Sequence, residues 1–325
     1  MRHPLSIIAT ALLLTSCATP TPQPDTPPTP TVYQPLPQGA TIEKPGDKPA
    51  TEPSTAPLLG SLRPDSRSPA ERVPHIVERG RLIVGVDQSQ NLLSFRDPTS
   101  GQLHGFEVDI AREIARDVFG DPNKIEFRYI DSSNWVLALE KNHIDVAMRT
   151  ISITRNRQDQ VFFSTPYFTG NTRMLVDKSS HIITLDDVDG HPICVTDTST
   201  GAAHARARAP HSDLVVVKSS ADCLITLQQN QAKAVITDDT ILSGMAAQDP
   251  STTIVGESLN KEHYGIAIAK SGRRHPTDGL IRQINATLER IFTDGTWQHS
   301  FDTWFGDYLP YQSPPALNYR KETAQ

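Results

Sequence analysis

Short apolar runs alternate with helical patterns from residue 82 onward. Leu82–Val86, Ile125–Ile130 and Ile144–Thr150 are rich in aliphatic and β-branched side chains, as buried strands are. Between the first two, residues 108–118 carry apolar side chains at helical spacing. This order of strands and helices predicts an α/β fold with a parallel sheet.

The same alternation returns later in the chain. Ile193–Thr196, Leu214–Val217 and Ala234–Ile236 are predicted strands, and helices are predicted between them. The roughly 250 residues that follow the N-terminal region are enough for two packed lobes. We therefore expect two α/β lobes, with polar residues at the strand ends where ligands of open α/β folds bind.

The N-terminus has the pattern of a secretory signal. Arg2 and His3 precede an apolar run from Leu5 to Leu14, which is too short to cross a bilayer as a helix. Small residues before Cys17 match a lipobox, so residues 1–17 are predicted to be a lipoprotein signal peptide with Cys17 as the acylated anchor. An ordinary signal peptide with an incidental cysteine is the alternative.

Residues 18–70 hold fourteen of the 26 prolines and a single aromatic residue, Tyr33. Such a composition favours extended chain over a packed core, so this segment is predicted to be a disordered tether. Residues 311–325 are predicted to form a loose tail. The net charge is only −6 and no Lys/Arg run occurs, which excludes nucleic acid as an expected partner.

Two cysteines remain once Cys17 is assigned to the anchor. Cys194 lies in a predicted strand and Cys223 in a predicted helix. An even pair in an exported chain indicates a disulfide. Two buried free thiols are the alternative.

The stretch from Asp145 to Phe168 carries hydroxyls and a cation at the end of an apolar strand. On an extended backbone Thr150 and Ser152 would project to one face, and Arg157 follows a turn led by Thr154. Two hydroxyls and a planar bidentate donor suit a small carboxylate. A polar turn with a surface arginine is the plainer interpretation.

Two further strand ends are polar. The hydroxyl-rich loop 197–201, which includes Ser199 and Thr200, precedes a predicted helix whose free N–H groups could bind an anion. An ordinary helix cap is the alternative. Asp238 and Asp239 end another strand, and we favour Asp238 facing the cleft while Asp239 caps the helix that follows.

Several motifs occur in an order typical of one family. They are SIT-x-x-R followed by FSTPY, with RLIVGVD, GFEVDIAREIA, AVITDD, YGIAI and DGTWQHSFDTWFG around them, and they span about residues 78 to 306. In this the chain resembles the extracytoplasmic polar amino-acid-binding proteins of ABC importers, and most of all the glutamate-, aspartate- and glutamine-binding lipoproteins of actinobacteria. The resemblance implies a two-lobed periplasmic-binding-protein-like fold of type II with two hinge crossings. Lobe one would comprise residues 71–170 and 265–310, and lobe two residues 171–264.

The resemblance also implies roles for individual residues in a cleft between the lobes. Arg157 would bind the α-carboxylate of an amino acid, together with Ser152 and the loop of Ser199 and Thr200. Asp238 and Thr150 would bind the α-ammonium group. Asp87 stands at a position that often touches the ligand.

The side-chain pocket departs from glutamine-binding relatives. Gln90 and Ser132 stand where those relatives carry aromatic residues, and Thr196 stands where they carry a lysine, which argues against glutamine. The resemblance therefore favours an acidic ligand, which needs a further cation. The candidates, in order of preference, are Arg96, Arg149 and Arg173, although Trp135 occupies a place where acidic-ligand members often carry arginine.

These features predict a monomeric protein on the outer face of the cell membrane. It would bind a free polar amino acid and deliver it to an ABC permease. A sensor that presents the ligand to a membrane receptor is the alternative. An enzyme like the cyclohexadienyl dehydratases is less favoured, since Asp238 and Glu107 are the only obvious carboxylate candidates for a general acid. No cofactor or metal is expected, because the eleven histidines show no ligand spacing.

Overall fold

The computed structural model describes residues 34–54, 57–270, 272 and 277–322. The chain divides into two units, Met1–Pro35 and Leu36–Gln325, and only the second is described below. The predicted signal peptide with Cys17 lies outside the described residues. Among the described helices, none has the length and apolarity needed to span a membrane.

Helices and strands alternate along most of the second unit. The strands are β1 (Thr41–Glu43), β2 (Leu82–Val86), β3 (Ser89–Gln90), β4 (Ser94–Arg96), β5 (Leu103–His104), β6 (Ile125–Tyr129), β7 (Val146–Ala147), β8 (Val161–Phe163), β9 (Phe168–Asp177), β10 (Ile193–Thr196), β11 (Leu214–Val217), β12 (Ala234–Asp238), β13 (Thr252–Tyr264) and β14 (Ala267–Ala269). The helices are α1 (Pro69–Arg72), α2 (Pro74–Arg79), α3 (Phe106–Phe119), α4 (Trp135–Glu140), α5 (Arg155–Gln160), α6 (Thr200–Arg208), α7 (Ser220–Gln228), α8 (Asp239–Gln248), α9 (Asp278–Thr293) and α10 (Thr296–Phe305).

Lobe one is built on a five-stranded sheet in the order β6-β2-β7-β14-β8. The strand β2 is parallel to β6 and β7, as the alternation of strands and helices predicts, whereas β14 returns antiparallel to β7 and β8. A small sheet, β3-β4-β5, lies between β2 and α3 along the chain. The aromatic rings of Phe106, Trp297 and Phe305 pack together in the core. The C-terminal aromatic residues are thus packing groups.

Lobe two is built on a six-stranded sheet in the order β1-β11-β10-β12-β9-β13. The strands β10, β11 and β12 are parallel, the long strand β9 runs antiparallel to β12, and the long strand β13 runs antiparallel to β9. The chain enters this sheet from lobe one through β9. This strand begins at Phe168, which pairs with Tyr264, whereas the predicted boundary of lobe two is residue 171.

Between β2 and β14 the chain crosses between the two sheets twice, after β8 and before β14, in addition to the connection from β1 in lobe two to β2 in lobe one. The crossings run side by side, since Tyr167 N donates to Tyr264 O at 2.9 Å and Ser164 N donates to Ile266 O at 3.0 Å. The predicted two-lobed α/β fold with two crossings is confirmed. Two adjacent connections between rigid sheets are the usual structure of a hinge.

The prediction of a disordered tether is wrong for residues 36–54 and 57–70. In this part β1 adds antiparallel to β11 at the edge of lobe two, and Ser61 Oγ donates to Phe163 O of lobe one at 2.7 Å. The prolines prevent this segment from forming a hydrophobic core of its own, but they do not prevent it from packing against the two lobes. We call residues 36–54 and 57–64 the N-terminal strap, because it contacts both lobes.

The prediction of a loose C-terminal tail is wrong for residues 311–322. Tyr319 forms a parallel bridge with Ser61 and donates its hydroxyl to Glu289 Oε1 at 2.8 Å. Glu322 accepts from Arg282 of α9 at 3.0 Å. The partners are far away in sequence, so the local pattern gives no sign of this docking.

The predicted disulfide is present. Cys194 of β10 and Cys223 of α7 are bonded, with their Cα atoms 5.5 Å apart, and both side chains are buried. The bridge fastens α7 to the central part of the lobe-two sheet.

Candidate functional site

A small enclosed cavity of about 40 Å³ lies between the lobes, at the ends of β7, β10 and β12. Polar side chains dominate its lining. The lining residues are Gln90, Ser132, Trp135, Arg149, Thr150, Ile151, Ser152, Arg157, Thr196, Thr198, Ser199, Thr200, Ser220, Thr237, Asp238 and Ile241. Both lobes contribute, so a molecule bound here would contact each of them.

Arg157 is the cation on one side of the cavity. It lies in α5, whose first turn is capped by Thr154, because the Thr154 side chain accepts from Arg157 N. Its Nη1 donates to Ser152 O at 2.9 Å and its Nη2 donates to Thr198 O at 3.1 Å. The guanidinium carbon lies 6.0 Å from the centre of the Trp135 ring. The guanidinium therefore lies between the lobes, where a carboxylate could bind to it.

The loop before α6 forms the adjoining wall. Ser199 caps this helix: its hydroxyl accepts from Ala202 N at 3.0 Å and donates to Thr196 O at 2.7 Å. The ordinary cap that we considered as an alternative is thus present. Ser199 and Thr200 still line the cavity, and the helix start directs N–H groups toward it, which favours an anion there.

Asp238 is the acid of the cavity and is almost completely buried. Its Oδ1 accepts from Thr172 Oγ1 at 3.2 Å. Burial, and next the negative charge of Glu262, raise the pKa of Asp238 well above its usual range. A ligand ammonium group would reverse this shift, because an opposite charge stabilises the ionised carboxylate.

Asp239 does not line the cavity, but the prediction that it caps α8 is wrong. It is the first residue of the helix, and its carboxylate accepts from Asn171 N at 3.1 Å and from Asn171 Nδ2 at 2.9 Å. It therefore ties α8 to β9.

Thr150 and Ser152 both line the cavity, although the reason given from sequence is wrong. The strand β7 ends at Ala147, and Thr150 has a left-handed backbone with φ of 53°. Its amide N–H donates to Glu107 Oε1 at 2.6 Å and its hydroxyl donates to Arg149 O at 2.6 Å. Such a φ costs energy for a β-branched residue, and the bond to a buried carboxylate holds it in place.

Arg149 is a second cation that lines the cavity. It is buried, and its Nη2 donates to Asp87 Oδ2 at 2.9 Å, while its Nε has no hydrogen-bond partner. Gln90, Ser132 and Thr196 also line the cavity, and Gln90 Oε1 lacks a partner. Asp87 does not line the cavity. Its carboxylate accepts from Arg149 Nη2 at 2.9 Å and from Ser89 N at 3.2 Å.

The other two candidate arginines lie outside the cavity, so their assignment to the pocket is wrong. Arg96 is exposed on β4 and donates to Gln88 Oε1 at 2.9 Å. Arg173 on β9 donates to Gly256 O at 2.6 Å. The sequence does not show whether the sheet β3-β4-β5 directs Arg96 toward the cavity or toward solvent. It therefore cannot decide whether Arg96 or Arg149 lines the cavity.

Sequence reasoning did not assign five of the lining residues to the site: Ile151, Thr198, Ser220, Thr237 and Ile241. Thr198 lies within the hydroxyl-rich loop, and Thr237 directly precedes Asp238, so their positions beside predicted site residues were the available signal. Ser220 begins α7 and accepts from Gln90 Nε2 at 3.2 Å. No motif distinguished it from other helix starts.

Direct hydrogen bonds hold the lobes together at the cavity. Thr198 Oγ1 of lobe two donates to Ser132 O of lobe one at 2.8 Å. Asn91 Nδ2 donates to Gly244 O of α8 at 3.1 Å, and a Cβ at Gly244 would collide with the Asn91 carbonyl oxygen. The cleft is thus closed, which excludes water and strengthens the electrostatic interactions inside it.

Glu107 does not line the cavity. It is completely buried, and its Oε1 accepts from Thr150 N and the Tyr167 hydroxyl. Burial raises the pKa of Glu107 above its ordinary value. A dehydratase-like reaction would therefore have only Asp238 as a carboxyl group in the cavity. Across the described part of the chain, no cluster of three metal-ligating residues occurs.

Comparisons with known proteins agree with this geometry. The profile of the bacterial extracellular solute-binding proteins, family 3, matches residues 82–307. Over 230 residues the chain is 30% identical to the glutamine-binding protein of a Bacillus subtilis ABC transporter, which covers 70% of this chain and 82% of that protein. Over 234 residues it is 32% identical to a glutamate-binding protein of Corynebacterium glutamicum, and the aligned region covers 68% of this chain and 77% of that protein. An ancestral arginine-binding protein bound to glutamine has a TM-score of 0.64 at 32% identity, covering 70% of this chain and 99% of that one.

Proposed function

This chain belongs to the bacterial extracellular solute-binding proteins of family 3, and we propose that it captures an acidic L-amino acid, glutamate or aspartate, for import by an ABC permease. The observation that carries the proposal is that Arg157 and Asp238 line one closed, polar cavity. A zwitterion needs a fixed cation and a fixed anion in one site, with water excluded. The relatives reported above are named for binding, so we propose capture rather than catalysis.

Arg149 is the group that we assign to the ligand side chain. It lines the cavity and its Nε has no hydrogen-bond partner, so a side-chain carboxylate could accept from it. Its Nη2 is already paired with Asp87, and the negative charge of Asp87 partly offsets the positive charge that a ligand would meet. The pocket should therefore prefer an acid and still accept the corresponding amide.

The protein would act outside the cytoplasm, held at the outer face of the cell membrane by a lipid on Cys17. Support for this comes from the lipobox pattern before Cys17 and from the family.

Calorimetric titration of the ligand-free protein tests the proposal. We expect glutamate and aspartate to bind in the micromolar range or tighter, with glutamine and asparagine weaker by roughly tenfold, about the effect of losing one charged hydrogen bond. Arg149→Met should reduce this preference and leave binding of the amides less affected. Arg96→Met is the matched control and should behave as the wild type, because Arg96 lies outside the cavity. Tighter binding of the amides would contradict the acidic assignment, and silence with all four would contradict the proposed function.

A further inference from the structure

Behind Asp238 lies a second buried carboxylate that the binding site described above does not use. Glu262 of β13 is fully buried, and its Oε1 accepts from Asn260 Nδ2 at 2.9 Å and from Thr172 Oγ1 at 3.2 Å. The same Thr172 hydroxyl lies 3.2 Å from Asp238 Oδ1. A hydroxyl donates one hydrogen only, so Thr172 cannot serve both carboxylates at once. The two acids therefore compete when both are ionised.

His204 of α6 is the nearest base to this pair. Its ring is 1% exposed, and its Nε2 lies 3.6 Å from Glu262 Oε1. On the other side its Nδ1 lies 3.5 Å from Glu52 Oε1 of the N-terminal strap. Neither nitrogen has a hydrogen-bond partner. An imidazolium donates from both nitrogens, which matches a ring flanked by two carboxylates.

We propose that His204 is a positioning residue for ammonium capture: as an imidazolium it neutralises Glu262, so that Asp238 can carry its negative charge when the ligand amino group arrives. This inference rests on the proposed function. It gives His204 no contact with the ligand, since Glu262 and Thr172 stand between His204 and Asp238.

The electrostatics of the cluster support this role. Burial raises the pKa of Glu262, but the neighbouring His204 ring at 3.6 Å and the polar groups of Ser152 and Asn260 lower it by more, so the pKa of Glu262 lies below its ordinary value. The anion at Glu262 is in turn a cause of the raised pKa of Asp238. Charged groups also face the cluster from other elements: Glu52 and its partner Arg208, Asp239, and Arg157.

The sign of the pH dependence follows from these charges. Asp238 must lose its proton to bind ammonium, so affinity should fall at acidic pH. His204 must carry its proton to neutralise Glu262, so loss of that proton at alkaline pH should also weaken binding. Binding should therefore take up protons at His204 and release them at Asp238, and comparison with a variant that lacks the imidazole isolates the contribution of His204.

Titrations of the full-length protein with glutamate between about pH 5.5 and 8.5 test the inference, with two buffers of different ionisation enthalpy at each pH. We expect the wild type to take up more protons on binding than His204→Asn does, and to lose roughly tenfold in affinity toward the alkaline end. His204→Asn should bind roughly tenfold more weakly near pH 6, with no alkaline decline. Adding Glu262→Gln to this variant should restore the affinity, because a neutral Glu262 side chain needs no counter-charge. His263→Asn is the matched control and should keep the wild-type profile, since His263 bonds to Thr169 instead.

Each other outcome has a definite meaning. If the wild type and His204→Asn exchange the same number of protons on binding, or if the double variant stays as weak as His204→Asn, the histidine is merely structural and the inference fails. If His204→Asn does not fold, Glu262→Gln alone decides, because it should bind tightly without the alkaline decline. If no polar amino acid binds the wild type at any pH, it is the proposed function that fails.

Discussion

Arg157→Ala is expected to weaken binding of glutamate by roughly 200- to 5,000-fold. The guanidinium lies between the lobes and donates to carbonyl groups of Ser152 and Thr198 on either side. Without it, the α-carboxylate of the ligand would be buried in the closed cavity with no cation beside it. Removing one partner of a buried ion pair costs about 3 to 5 kcal/mol. Calorimetric titration measures the loss directly.

Two variants make this result interpretable. Arg157→Lys keeps the charge but lacks the planar pair of donors, so binding should fall to a level between the wild type and Arg157→Ala. Arg155 lies two residues earlier in the same helix, is exposed and pairs with Asp159 at 3.4 Å. Arg155→Ala should therefore bind as the wild type does. Wild-type affinity in Arg157→Ala would remove Arg157 from the site.

Replacing both Cys194 and Cys223 by alanine is expected to destabilise the protein by about 3 to 4 kcal/mol. The bond closes a loop between residues 29 apart in sequence, and the chain-entropy model gives this value for a loop of that length. For a domain of this size the melting temperature should fall by roughly 5 to 15 °C. Thermal unfolding followed by circular dichroism, with and without glutamate, measures the change.

A reductant serves as the control for this prediction. Reducing the wild type should lower its melting temperature, while the double variant should not respond because it has no bond to break. Equal melting temperatures for the wild type and the double variant, with two titratable thiols in the wild type, would contradict a stabilising bridge.

Short-range sequence pattern predicted much of the site. Asp238 is the last residue of β12 and Arg157 lies in α5 after β7, and each belongs to a contiguous motif, so the placement of both residues at the cavity could be predicted from local sequence. The fold was predictable for the same reason, because strand and helix periodicity is local. Cys194 and Cys223 could be paired because few cysteines remained once Cys17 was assigned.

Contacts between distant parts of the chain were not predictable. The pairing of Asp87 with Arg149 is a long-range contact, and it decides which arginine lines the pocket. The docking of the N-terminal strap depends on a free sheet edge at β11 that its own proline-rich composition does not reveal. In both cases the partner lies on another element, and local residue patterns carry no information about it.

The N-terminal strap packs against both lobes. It pairs with the lobe-two sheet through β1 and with lobe one through Ser61. Glu52 of the strap contacts both His204 and Arg208 of α6. A segment that the composition suggests is only a spacer therefore lies against the charged cluster behind the binding cavity.

The most direct test of the central claim is a crystal structure of the protein grown with glutamate. The account predicts glutamate in the cavity between the lobes, with its α-carboxylate on Arg157, its ammonium group on Asp238 and its side chain directed toward Arg149. Glutamate bound elsewhere, or bound in the cavity with its α-carboxylate away from Arg157, would contradict the account.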